Sequence, residues 1–72
     1  MQIFTITPDP KGKGYALASD LLSYPLWYRK TTDAVKYAKW ISRSKGCRIE
    51  TRDSRGDLLW FEENPPGDHF AY

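Results

Sequence analysis

The chain has 72 residues, of which 40% are hydrophobic and 15% aromatic, and it carries a net charge of +2. This length predicts one domain with a small core, and a single cysteine and a single histidine exclude an intrachain disulfide and a Cys/His metal cluster. No apolar stretch approaches the roughly 20 residues of a membrane-spanning helix, and no signal sequence is recognisable, so a cytoplasmic protein without metal, cofactor or membrane contact is expected.

The first thirty residues predict two or three strands. Gln2–Thr7 is β-branched and aromatic, and Tyr15–Ser19 alternates large and small side chains. The turn formers at 8–14 between them favour a hairpin. Asp20–Tyr24 is either a loop or one helical turn. Leu26–Lys30 is aromatic enough to predict a short third strand that leads into a helix.

The strongest helical pattern extends from about Thr32 to Lys45. Thr31 or Thr32 is the expected N-cap, and Gly46 can adopt the left-handed conformation that ends a helix. The apolar positions recur at helical spacing and predict one buried face. That face consists of Ala34, Tyr37, Ala38 and Ile41.

A hairpin is predicted after the helix. Cys47–Arg52 and Leu58–Glu63 flank a turn-forming segment, and a three-residue loop at Ser54–Gly56 would place Asp53 opposite Asp57. The resulting register separates apolar from charged side chains, and it puts an ion pair on the face opposite the helix. Its predicted pairs are Thr51 with Leu59, Ile49 with Phe61, Glu50 with Trp60 and Arg48 with Glu62.

The expected fold class is α+β, with an antiparallel sheet of four or five strands and one helix packed on one face. The order of elements is β-β-(β)-α-β-β, and it forms a single domain over residues 1–63. Residues 64–72 contain Pro and Gly and are expected to form an irregular tail, in which Phe70 and Tyr72 are candidates for docking on the domain.

One helix covers only one face of such a sheet. The uncovered face is expected to expose Trp60, Trp27 and Ile3, which is more apolar surface than a monomer usually leaves bare. These three residues are therefore the candidate partner-binding site. The expected partner is another protein or a second copy of the chain.

Several short segments occur in a characteristic order along the chain: Gly14-Tyr15-Ala16-Leu17, Tyr28, Asp33-Ala34-Val35, Tyr37-Ala38, Gly46-Cys47-Arg48-Ile49-Glu50 and Arg55-Gly56-Asp57-Leu58. In these segments the chain resembles a family of small bacterial domains of unknown function, over about residues 2–63. The resemblance implies the strand-strand-helix-strand-strand fold and no particular activity. A weaker likeness to HicB-type antitoxins implies a regulator, although the chain lacks their Pro-Asp-Leu-Pro-Gly loop and an appended DNA-binding segment.

No arrangement of residues indicates catalysis. Cys47 has no histidine near it in sequence and is expected to be a small core residue. His69, next to Asp68, is expected at the surface. Glu62 and Glu63 are adjacent on a strand and point to opposite faces, so they do not form a carboxylate pair. The chain is therefore expected not to be an enzyme.

The alternative function is nucleic-acid binding through the basic face of the helix. Residues 1–45 carry a net charge of +5 and residues 46–72 a net charge of −3, so one end of the chain could meet a polyanion. An exposed tryptophan beside the cations could stack on a base. The candidate residues are Lys36, Lys39, Trp40 and Arg43, together with Arg29 and Lys30 before the helix.

Overall fold

The computed structural model of the protein describes residues 2–67, which form five strands and one helix. The α+β class with a single helix is confirmed, and the number of strands is five. His69, Phe70 and Tyr72, for which the sequence suggested surface and docking positions, lie outside the described residues. The elements are β1 (Gln2–Pro8), β2 (Tyr15–Ser19), β3 (Leu26–Tyr28), α1 (Thr31–Ile41), β4 (Cys47–Arg52) and β5 (Leu58–Asn64).

The strands form one sheet in the order β3-β2-β1-β4-β5. The prediction of a purely antiparallel sheet was wrong, because β1 and β4 are parallel while the other neighbouring pairs are antiparallel. The helix explains the difference. β1, β2 and β3 alternate in direction, and α1 then returns the chain to the end of the sheet at which β1 begins. β4 therefore starts beside the start of β1 and must run parallel to it.

The core lies between α1 and the centre of the sheet. Two small residues of the helix, Ala34 and Ala38, are fully buried, and they allow the helix to approach the strands closely. Tyr37 and Ile41 pack against this core from its edge, so the predicted apolar face of the helix is confirmed. Cys47 is fully buried, as expected. The buried strand residues are Phe4, Ile6, Leu17, Cys47 and Ile49.

The helix begins and ends earlier than predicted. It starts at Thr31 with Lys30 at the N-cap, and no side chain caps its first turn. Ser42 is buried, and its Oγ donates to the carbonyl oxygen of Ala38 at 2.6 Å, which helps to satisfy the last turn. Gly46 (φ +79°) instead ends the turns that follow, where an added Cβ would lie 2.9 Å from the carbonyl oxygen of Asn64.

The β4–β5 hairpin has the predicted loop but a different register. The N–H of Asp53 donates to the carbonyl oxygen of Asp57 at 2.9 Å, so these two residues do face each other. Arg52 then pairs with Leu58, whereas Thr51 pairs with Trp60, so a bulge at Leu59 adds one residue to β5. The predicted pairs were therefore wrong, since one extra residue moves each later side chain of β5 to the other face of the sheet. The observed pairs include Arg48 with Glu63, Ile49 with Glu62 and Glu50 with Phe61.

Candidate functional site

The most exposed apolar segment of a strand lies in β5, at one edge of the sheet. β5 pairs with β4 on one side, and within residues 2–67 no strand pairs with its outer side. Four consecutive large side chains of β5 are each between 42% and 64% exposed. A long apolar edge strand presents unpaired backbone N–H and C=O groups, and such an edge is a template for another strand. The four residues are Leu58, Leu59, Trp60 and Phe61.

A groove of about 530 Å³ runs beside this edge, between the first half of α1 and the β4–β5 hairpin. Trp60 forms one wall of the groove and Val35 contributes apolar surface from the helix. The groove exists because α1 packs chiefly on β1 to β4 and leaves much of the helix-side face of β5 uncovered. Its lining residues are Thr31, Thr32, Val35, Lys36, Thr51, Trp60 and Glu62.

An ion pair joins the helix to β5 at the end of the groove. The Nζ of Lys39 lies 2.6 Å from Oε2 of Glu62, and Nδ2 of Asn64 donates to the same oxygen at 2.9 Å. Partial burial by itself raises the pKa of Glu62, but the hydrogen bonds from Lys39 and Asn64 outweigh it. The pKa of Glu62 therefore lies below its usual value.

Replacing Lys39 with methionine is expected to lower the free energy of unfolding by about 0.5–1 kcal/mol at pH 7, because the pair is partly exposed. A carboxyl whose pKa is lowered by folding adds stability above its unfolded pKa of about 4.3, and that stability is lost as the pH falls through the folded pKa. The difference from the unmodified chain should therefore disappear in acid. Urea unfolding across this pH range measures it, with Lys36→Met as the matched control. A pH-independent difference would contradict the ion pair.

The face of the sheet away from the helix, here called the open face, is more polar than the sequence indicated. Arg48 and Arg52 both donate to the carboxylate of Glu50, at 2.8 and 2.9 Å, and Arg48 also contacts Glu63 at 3.0 Å. The hydrogen bonds from Arg48 and then Arg52 hold the pKa of Glu50 below its usual range. The guanidinium of Arg48 lies 4.1 Å from the ring centroid of Phe61. Charged groups therefore occupy much of the half of this face formed by β4 and β5.

The three candidate partner-binding residues do not form one patch. Trp60 pairs with Thr51 and faces the groove on the helix side, so its predicted place on the open face was wrong. Trp27 and Ile3 are exposed and share the open face. They lie two strands and four residues apart, which corresponds to roughly 16 Å between their Cα atoms. Their role in binding a partner stays a prediction.

The basic helix face is interrupted by internal contacts. Lys39 is paired with Glu62, and the guanidinium of Arg43 lies 3.9 Å from the ring centroid of Trp40. Nη1 of Arg43 also donates to the carbonyl oxygen of Trp40 at 2.8 Å. One face of the ring that could stack on a base is therefore already covered. Of the candidate cations for nucleic-acid binding, Arg29, Lys30 and Lys36 make no ion pair within the described part of the chain.

Sequence reasoning missed three residues of the exposed β5 edge. Leu58, Leu59 and Phe61 were expected in part on the buried face, because the register without a bulge places Leu59 and Phe61 beside Ile49. The run of four apolar residues from 58 to 61 was the available signal. It breaks the alternation of a strand with one buried face, and such a break is compatible with a bulge.

The chain matches no protein-family model, no curated protein and no solved structure. The resemblances to small bacterial domains of unknown function and to HicB-type antitoxins therefore stay predictions. The helix in the described residues is too short and too polar to cross a membrane. Within the same range, no three His, Cys, Asp or Glu side chains are grouped so that they could hold a metal ion. The features that stand out are the outer edge of β5 and the Trp60 groove.

Proposed function

We propose that the protein is a non-catalytic interaction module, acting in the cytoplasm, that binds an extended protein segment along the outer edge of β5. The observation that carries this proposal is the position of a seven-residue edge strand, with four consecutive apolar residues and no strand of residues 2–67 on its outer side, directly beside the Trp60 groove. In strand addition, main-chain hydrogen bonds supply affinity and pockets for alternate side chains supply specificity. The outer edge of β5 offers the main-chain hydrogen bonds, and the Trp60 groove offers a pocket for a side chain.

The groove suits an apolar side chain with a polar neighbour. The indole of Trp60 and the side chain of Val35 give it apolar walls, while Lys36 and Glu62 lie at its margin. An apolar residue of the bound segment would be covered by the indole ring, and its flanking polar groups would meet charges of either sign. Aromatic residues in such positions carry a large share of the binding energy in protein interfaces.

The test is selection of extended peptides from a random library displayed on phage, with the purified full chain as the target. Selected peptides should carry apolar residues at alternate positions, and synthetic versions should bind with an affinity that changes little between low and high salt. Trp60→Lys should weaken that binding by about 30-fold or more. Trp40→Lys, which changes an equally exposed tryptophan on the helix, should leave it unchanged. Failure of the chain in its monomeric form to enrich any peptide, or equal effects of the two substitutions, would contradict the proposal.

The alternative function is nucleic-acid association, or an antitoxin-like regulatory role that uses it, and one observation favours it. Arg29 and Lys30 just before α1, and Lys36 in the middle of it, are exposed and make no ion pair with residues 2–67. Phosphate binding by these cations would retain the chain on a polyanion column at low salt and release it steeply as salt rises. Lys36→Glu would then abolish retention, whereas Trp60→Lys would not.

A further inference from the structure

We propose that the segment bound at β5 is β5 of a second copy, so that two sheets join into one ten-stranded sheet across a two-fold axis. This inference rests on the proposed function and names its partner. The two edges of the sheet differ in a way that favours pairing at β5 alone. β5 has seven residues, whereas β3 has three and follows Pro25, which has no N–H to donate.

Charge selects the register of the pairing. When two identical antiparallel strands are related by a two-fold axis, one residue of the strand faces its own copy. Centring on Glu62 would place two carboxylates directly opposite each other, and centring on Trp60 would place Asp57 opposite Glu63 of the second copy. Like charges in these positions are destabilising. Centring on Phe61, which is the midpoint of Leu58–Asn64, creates neither conflict.

The Phe61-centred register also brings complementary groups together. On the helix side, Trp60 faces Glu62 of the second copy, and Lys36 lines the same groove as Trp60. Each groove therefore brings Lys36, which makes no ion pair with residues 2–67, towards Glu62 of the other chain, whose carboxylate also pairs with its own Lys39. On the open side, the two Phe61 rings face each other, and each already lies under the guanidinium of its own Arg48 at 4.1 Å.

The proposed pairing limits the assembly to two copies. A two-fold interface uses the same surface of both copies, so the pairing of two β5 strands leaves neither outer edge available. The remaining edges of the joined sheet are the short β3 strands. The assembly is therefore a dimer and not a filament.

The first test is the solution mass over a range of concentrations, measured by light scattering or sedimentation. The mass should rise from 8.4 kDa towards twice that value. Phe61→Glu puts two like charges on the axis and should weaken association by about 30-fold or more. Trp27→Glu makes the same kind of change on the same face but at the opposite edge of the sheet, and it should leave association unchanged. A chain that stays monomeric, or a dimer unaffected by Phe61→Glu, would overturn the inference.

The second test separates the register from general damage to the fold. Phe61→Glu and Phe61→Lys should each be monomeric with an unchanged circular dichroism spectrum, and mixing them should restore a dimer that contains one copy of each. Restoration requires residue 61 to face itself, and absence of restoration would overturn this register. If the unmodified chain stays monomeric yet binds selected peptides at β5, the second-copy proposal fails and the proposed function stands. If it is monomeric and binds none, both fail.

Discussion

Ile6→Ala is expected to lower the free energy of unfolding by about 2–5 kcal/mol. Ile6 is fully buried on β1, between Leu17 of β2 and Thr51 of β4, and it faces the helix. Removing its side chain loses hydrophobic burial and leaves a cavity in the centre of the core. A domain of this length has a total stability of roughly 4–10 kcal/mol, so the variant should be partly unfolded at moderate temperature. Urea or thermal denaturation measures the change.

The matched control is Ile3→Ala on the same strand. Ile3 is 52% exposed and faces away from the helix, so its replacement should change the free energy of unfolding by less than about 1 kcal/mol. The two changes remove the same atoms from two positions of one strand. Equal destabilisation would show that the face of the sheet that carries Ile3 is covered as well as the face that carries Ile6. Such a result would contradict the arrangement in which only one face of the sheet is covered, by the helix.

Ala38→Leu is expected to destabilise the fold by about 1–3 kcal/mol or more, for the opposite physical reason. Ala38 has no exposed surface and lies where α1 approaches the sheet, so three additional carbon atoms have no space. The helix would have to move away from the strands, and the contacts of Ala34 would be lost with those of Ala38. A lower midpoint of urea denaturation, with helical signal retained below it, is the expected measurement.

Ala18→Leu is the corresponding control, because Ala18 is exposed on β2 on the face away from the helix. The larger side chain has open space there, and its effect on unfolding should stay within about 0.5 kcal/mol. A destabilisation similar to that of Ala38→Leu would mean that the open face is covered. It would therefore place a partner, or a part of the chain beyond residues 2–67, on that face.

The sequence was sufficient for the features that depend on local pattern. The apolar face of α1 follows from helical spacing, and it is buried as predicted at Ala34 and Ala38. The loop of the last hairpin follows from its turn residues, and the hydrogen bond between Asp53 and Asp57 confirms it. In both cases the residues that determine the feature lie within a few positions of it in the sequence.

The features that depend on long-range contacts could not be predicted in the same way. The bulge at Leu59 puts Glu62 on the helix side, next to Ile49, which a pattern of apolar and polar residues argues against. Lys39 makes this arrangement acceptable, because it supplies a counter-ion from another element. The parallel pairing of β1 and β4 likewise depends on where the helix delivers the chain. For these reasons the placement of Trp60 was missed, although its exposure was anticipated.

The parallel pair at the centre of the sheet has a consequence for how the chain folds. Every pair between β1 and β4 joins residues 45 positions apart, as between Gln2 and Cys47. The β1–β2 and β4–β5 hairpins can form from local contacts, but their junction requires closure of a long loop, and such closure slows folding. Until it occurs, each hairpin has an additional unpaired edge. We therefore expect assembly of the two halves to limit the folding rate, with α1 closing over the junction.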